Sequence, residues 1–444
     1  MWKKGTMDAE TDRSTPYGTL KNPSYRPRVL DRRIAEGLAV FGAVCIQGPK
    51  YCGKTWSGRS LSNSEISLMN PEGNFTNRTT AELAPDLALQ GASPRLVDEW
   101  QEVPQLWDAV RNTVDVSNKE RTFILTGSAT PRDLQPRHSG VGRIERLRMR
   151  TMSLAETGVS NASVSLGSLF EGQQPHSVAP ALTLEDLAAQ VVVGGWPGAL
   201  GLPVNQGLRV AHNYIDDLRD FDFSSVDSIK RDPRKVQRLL HSLARNVEQP
   251  AANKTLIRDM TASAEDGPLS IETVDNYLDV LRRTFVLEEI APWAPNLRSP
   301  LRINKKPKYH FVDPSLPATI LGVGIPALMG DLELFGLLFE GLCLRDLLVY
   351  AEAMEASVYY YRDANGLEAD AIVEHPDGNW GAIEIKLGHN QADVAAAHLL
   401  KLRSRVVDAG GREPAFLATV EGLSAYALPR PDGVLTIPIA TLAP

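Results

Sequence analysis

The stretch Gly48–Thr55 reads GPKYCGKT and directly follows an apolar run, Val40–Gln47 (VFGAVCIQ). No other part of the sequence constrains the fold as much. The stretch satisfies the pattern G-x-x-x-x-G-K-[ST], and the run before it reads as a buried strand. Strand, glycine-rich loop and helix in this order belong to a parallel sheet with helices on its faces, where ligands bind at the carboxyl ends of the strands. The loop of Gly48, Pro49, Lys50, Tyr51, Cys52, Gly53, Lys54 and Thr55 is expected to wrap backbone N–H groups around phosphate oxygens. Lys54 would reach the β- and γ-phosphates and the Thr55 hydroxyl would ligate magnesium, so ATP and Mg2+ are the implied cofactors.

Two further apolar segments end in polar residues. Leu96-Val97-Asp98-Glu99 offers Asp98 as a second magnesium ligand and Glu99 to polarise an attacking water. Phe123–Ser128 (FILTGS) offers Ser128 or Thr126 to contact the γ-phosphate or that water. Arg143, in Gly140–Arg143 (GVGR), is either a stabiliser of transition-state charge, in cis or from a neighbouring copy, or a solvated member of a basic segment with Arg146, Arg148 and Arg150. Glu99, Ser128 and Arg143 are thus the catalytic candidates, and Thr55 and Asp98 the metal ligands.

The chain has 444 residues, enough for two or three domains. A formal net charge of -7 excludes a general polyanion binder, though not a local basic patch. Cys45, Cys52 and Cys343 form no metal-ligand spacing and read as reduced thiols. The start lacks the apolar core of a signal peptide, and no stretch reaches the roughly 18 to 20 apolar residues of a membrane span. The expected location is cytoplasmic, with no membrane partner.

The expected organisation is α/β. Residues 1–27 read as a polar, loosely ordered lead-in, with Met7 an alternative start, and 28–180 as the P-loop NTPase parallel sheet. Residues 181–312 read as a helical, winged-helix region and 313–444 as a C-terminal α/β domain. In the first domain the strands are Val40–Gln47, a weaker Ser67–Asn70, Arg95–Val97 and Phe123–Leu125, with Leu106, Val110 and Val114 at helical spacing. In the middle, Ser270 caps a helix over Thr273–Arg283, and a ribbon of Phe285–Ile290 and Tyr309–Val312 follows. At the end come a helix over Leu334–Tyr350 and strands at Ser357–Tyr361, Ala369–Glu374 and Trp380–Lys386. A helix over Asp393–Arg403 and a strand at Ala415–Thr419 complete the unit.

GPKYCGKT, LVDEWQEVPQLWDAVR and FILTGSAT resemble the AAA-like P-loop ATPase domain of a large prokaryotic family whose members carry a C-terminal domain of unknown function. The resemblance continues through GVGRIERLRMRTMSLAE, GGWP, TVDNYLDVLRRTFVLEEIAPW, KPKYHFVDPSL, FEGLCLRDLL, LEADAIVE and GAIEIKLG. It covers nearly everything from about Tyr25 onward and departs at Asn70, where the family usually has an acidic residue.

Glu340, Asp370, Glu384 and Lys386 form a second constellation. Glu384 and Lys386 flank Ile385 and so face one side of a strand. A helical Glu, a strand Asp and Glu-x-Lys look like a restriction-endonuclease-like arrangement, in which the carboxylates hold a hard cation and the lysine positions water for phosphodiester attack. The same residues also suit a catalytically silent nuclease-like fold or a solvated face. Arg298, Arg302, Lys305, Lys306 and Lys308 cluster at the expected ribbon tip, a candidate contact for DNA phosphates.

Two functions follow. In one, a magnesium-dependent ATPase uses its nucleotide state to control a DNA-directed C-terminal domain. In the other, ATP binding with little or no hydrolysis switches a scaffold with a silent nuclease-like domain. A protein-remodelling motor ranks lower, because no pore loop is evident. A homo-oligomer is a candidate by analogy with AAA proteins alone.

Overall fold

The computed structural model describes residues 17–129, 140–223, 231–250, 253–261, 270–295, 306–363 and 365–444. They fall into two compact units. One holds 17–46, 54–127 and 140–147, and the other holds 47–53, 128–129 and everything from 148 on. Among the described residues no helix is long and apolar enough to cross a membrane.

The first unit is built on a five-stranded sheet in the order β2-β3-β4-β1-β5. Its strands are β1 (Ala43–Gln47), β2 (Ser64–Ser67), β3 (Arg95–Asp98), β4 (Phe123–Gly127) and β5 (Ile144–Arg148). β3 pairs in parallel with β2 and with β4. Helix Gln105–Val116 buries Leu106, Val110 and Val114, as their spacing predicts, and also Trp107, against Phe123, Leu125 and Trp100. A fully buried side chain of this size contributes about 1.5–3 kcal/mol.

Three expectations change here. Val40 and Phe41 end a helix, Asp31–Phe41, rather than begin β1, because the Gly42 N–H caps that helix on Leu38 O. The second strand is Ser64–Ser67 rather than Ser67–Asn70. It lies at the sheet edge, where a polar S-E-I-S run is tolerated, and Asn70 accepts the Glu72 N–H in the turn beyond. Of the expected loose lead-in over 1–27, residues 1–16 lie outside the described residues, and from Tyr17 onward the chain is packed down rather than loose. Gly18 N donates to Ser60 O at 2.8 Å, and the Tyr25 hydroxyl lies 2.8 Å from both Asp31 and Ser57.

The second unit contains a seven-stranded sheet in the order β10-β11-β12-β13-β15-β14-β7. Two short strands, β6 (Val164–Ser165) and β7 (Ser177–Val178), come first in the chain. Next is the antiparallel ribbon of β8 (Leu287–Ile290) and β9 (Lys308–Phe311). The remaining strands are β10 (Ser357–Arg362), β11 (Glu368–Glu374), β12 (Trp380–Lys386), β13 (Phe416–Glu421), β14 (Tyr426–Pro429), β15 (Leu435–Pro438) and β16 (Leu442–Ala443). β10, β11 and β12 are antiparallel neighbours, and β12, β13 and β15 run parallel. β7 pairs with β14 and β6 with β16, so these segments join the C-terminal strands. Helix Ala392–Asp408 packs on β12 and β13, and Ile372, Trp380, Leu399, Leu402 and Leu417 share a core with Trp293.

Before the ribbon come helices Pro233–Arg245, Asn253–Met260 and Ile271–Arg283, the last capped by Ser270, which accepts the Thr273 N–H. The expected basic tip is corrected at Lys308, which is buried on β9 rather than exposed at a tip. Arg298, Arg302 and Lys305 lie outside the described residues.

A buried polar knot explains several of the motifs. Asp313 accepts Thr151 Oγ1 at 2.6 Å, Gly195 N at 2.8 Å and Ser315 Oγ at 2.6 Å. Arg345 reaches Asp313 at 3.4 Å and forks onto Asp346 at 2.9 and 2.7 Å. Asp346 in turn accepts the Leu154 N–H, and Trp196 Nε1 donates to Ser315. Gly194 holds a φ of 74°, and a Cβ there would fall 2.0 Å from Asp313 Oδ1. GGWP, VDPS and LRD therefore meet at one place, where every charge has a partner.

Candidate functional site

Asp98 ends β3 almost fully buried. Its Oδ1 accepts hydrogen bonds from Thr55 Oγ1 at 2.8 Å and Thr126 Oγ1 at 2.7 Å. Burial pushes this carboxyl above the usual range, and the two hydroxyls oppose the shift. The Thr126 hydroxyl accepts in turn from Glu99 N at 3.1 Å. A hydroxyl and a carboxylate held side by side are the hard oxygen donors that magnesium takes, so Thr55 and Asp98 suit that ion.

Glu99 leaves the strand in a left-handed conformation, φ 59° and ψ 49°. A non-glycine residue held so costs about 1–3 kcal/mol, the kind of strain that clusters at working sites. Its carboxylate accepts a hydrogen bond from the Gln101 side-chain amide. Of the two hydroxyls considered at the end of β4, Thr126 is the one bonded to Asp98, while Ser128 is buried two residues on. Thr126 and Gln101 gain their importance only from the fold. In the sequence, Thr126 stands as the alternative to Ser128, and nothing in it marks Gln101.

The loop ahead of Thr55 is shaped by close contacts of its own. Gly48 lies so near the Met149 carbonyl that a Cβ would come within 2.1 Å of that oxygen. Cys52 is buried, with Sγ 3.8 Å from the same oxygen, whereas Lys50 and Tyr51 are exposed. Pro49 is buried, Gly53 is half-buried, and Lys54 is buried as the first residue of helix Lys54–Ser60. Arg143 is half-exposed and ion-paired with Asp115 at 2.6 Å.

The second constellation is brought together in part. Lys386 reaches Glu384 at 2.7 Å and Asp370 at 3.3 Å, and Asp370 also accepts the Ile385 N–H at 2.8 Å. Glu340 is held separately, by Lys308 at 2.9 Å. Burial would raise Asp370, but Lys386 and Lys308 overcome it and hold the carboxyl down. Burial pushes Glu384 up, and the neighbouring Asp370 adds to this. Burial also pushes Glu340 up, to about 8, against the pull of Lys308. Among the described residues no group of three or more His, Cys, Asp or Glu is placed to hold a metal ion. A cleft of about 400 Å³ opens onto Glu340, Asp370 and Lys386, with Leu337, Leu387 and Asn390 at its walls. A larger cleft of about 540 Å³, over Trp293, Tyr359 and Trp380, contains none of the expected site residues.

Residues 41–158 match the family model of an AAA domain. Residues 184–326 and 335–442 match two domains of unknown function, DUF8612 and DUF4143. Uncharacterized proteins of Mycobacterium bovis and Mycobacterium tuberculosis are each 26% identical over 380 residues, spanning 84% of this chain and 76% of theirs. Among solved structures, a Walker-type ATPase of Pyrococcus abyssi is similar with a TM-score of 0.40 at 14% identity, over 68% of this chain and all of its own. A structure from work on katanin self-assembly gives 0.21 at 17% identity, over 56% and 82%. The loop motif and the Thr55–Asp98–Thr126 cluster both lie within the residues that match the AAA domain.

Proposed function

We propose that the chain binds ATP with magnesium over Lys54 and Thr55 and hydrolyses it. The observation that supports this most is the shared hydrogen bonding of Asp98 with Thr55 and Thr126. It gathers two metal-suited oxygens at the strand end where nucleotide phosphates bind in such sheets. Magnesium, when bound there, supplies charge neutralisation of the phosphates. Asp98 and Thr55 orient it, Lys54 meets the phosphate charge, and Glu99 polarises the attacking water once Gln101 releases its carboxylate. Ser128 is the further polar contact of the phosphate end. Arg143 serves as the charge stabiliser, in cis or from another copy, when it leaves Asp115. A cytoplasmic location, where ATP is supplied, suits this reading.

ATP affinity, measured by calorimetry with and without magnesium, tests the binding half. Tight binding that needs Mg2+ and is lost in Lys54→Ala is the expected result. Absence of binding by the wild type would contradict it.

The C-terminal domain reads the nucleotide state. A second reading, that it also cleaves DNA, is favoured by the cleft that opens onto Asp370 and Lys386, with the helices and ribbon before it serving as a winged helix. Duplex DNA incubated with Mg2+ or Mn2+ should then be cut by the wild type and spared by Asp370→Asn and Lys386→Ala. Intact DNA with the wild type leaves the silent readout.

A further inference from the structure

Arg148–Thr151 is bonded to the phosphate loop on one side and to the C-terminal body on the other. Toward the loop, Met149 N donates to Gln47 O at 2.7 Å. The Met149 carbonyl is the atom that a Cβ on Gly48 would meet and that accepts from Cys52 Sγ at 3.8 Å. Away from the loop, Arg150 forks onto Glu288 at 2.9 and 2.7 Å and reaches Leu348 O at 3.3 Å. Glu352 accepts the Arg148 N–H at 3.2 Å and lies 3.7 Å from Arg150. Thr151 is tied into the Asp313 knot.

Leu348 and Glu352 are in the last turns of helix Leu332–Ala353, whose earlier residues Leu337 and Glu340 line the acid–lysine cleft. The geometry points to Arg150, with Glu288 and Glu352, as positioning residues that couple occupancy of the phosphate loop to this helix and so to the cleft. This rests on the reading that the loop binds ATP. A phosphate drawn into the loop acts on the backbone around Gly48, which the Met149 carbonyl approaches so closely that a Cβ there would come within 2.1 Å of it. Arg150 is buried and fully engaged, so a movement of Met149 must reposition Glu288 and the helix end or break a buried ion pair. Coupling of this kind is reciprocal, so loosening the helix end weakens ATP binding by the factor that ATP stabilises it.

Hydrogen exchange of the full chain, with and without saturating Mg-ATP, tests the coupling alongside ATP affinity. Exchange across residues 345–353 should slow by about fivefold or more when ATP binds, the lower end of typical couplings. Glu352→Gln, conservative in size, should remove much of that slowing and weaken ATP binding about fivefold. Glu288→Gln should act the same way. ATP binding with protection confined to the loop and the helix after it would overturn the coupling and leave the nucleotide site standing. No ATP binding would overturn both. If either variant loses its fold by circular dichroism, the wild-type comparison decides alone.

Discussion

Thr126 does more at the proposed nucleotide site than its type suggests, because one hydroxyl donates to Asp98 and accepts from Glu99 N. Thr126→Val keeps the shape and removes both bonds. It should cost about 1–3 kcal/mol in urea unfolding, the price of unpaired buried groups, and lower kcat more than ATP affinity. The carboxylates around Lys386 should differ in the same way. Asp370→Asn strips the carboxylate whose charge Lys386 and Lys308 maintain, and should cost about 3–5 kcal/mol, as broken buried pairs do. Glu384→Gln should cost less, because burial already works against that charge. Thermal melts of the two variants side by side check the order. The loop and the Asp-Glu pair were legible in the sequence because each is contiguous and follows an apolar run. Lys308 was not, since KKPK reads as one basic cluster, whereas β9 begins at Lys308 and turns its side chain inward to Glu340.

Among the elements, those with strong apolar patterning were readable. Helix Gln105–Val116, the cap at Ser270 and strand Trp380–Lys386 follow from spacing and from a polar residue at the helix start. Edge and short strands were not. Ser64–Ser67 has one buried residue, and β14, β15 and β16 are too short to show a period. The helix over Asp31–Phe41 ran into β1 in the sequence because no polar break separates Val40 from Ala43. GGWP was readable as a motif but not as a structure, since its partner Asp313 lies more than a hundred residues away. Gly194→Ala would force a left-handed backbone on a side chain that meets Asp313 Oδ1. It should destabilise the second unit by about 2–4 kcal/mol, among the larger single-residue effects, read as an early transition in calorimetry.

For the molecule as a whole, the pairing of Val164–Ser165 and Ser177–Val178 with C-terminal strands depends on contacts across more than two hundred residues, which local patterns do not carry. Glu288 should leave a mark on the pH dependence of stability. Burial alone would raise its carboxyl, but Arg150 and Arg148 overcome this and hold it at about 2. An unfolded glutamate titrates near about 4.3. A depressed folded value means that the contribution is complete above that pH and is lost as pH falls toward about 2. Glu288→Gln should therefore flatten the loss of stability across that acid window and change little in its slope at neutral pH, as measured by urea midpoints over a pH series.

ATP turnover by the groups gathered at Asp98 is the activity proposed for this chain. Steady-state phosphate release with Mg-ATP, for the wild type, Lys54→Ala and Glu99→Gln, tests it most directly. Magnesium-dependent, multiple-turnover hydrolysis is expected of the wild type. Turnover should be lost in both variants, with ATP binding retained in Glu99→Gln alone. A wild type that binds Mg-ATP without releasing phosphate, or a Glu99→Gln variant that hydrolyses at the wild-type rate, would contradict it.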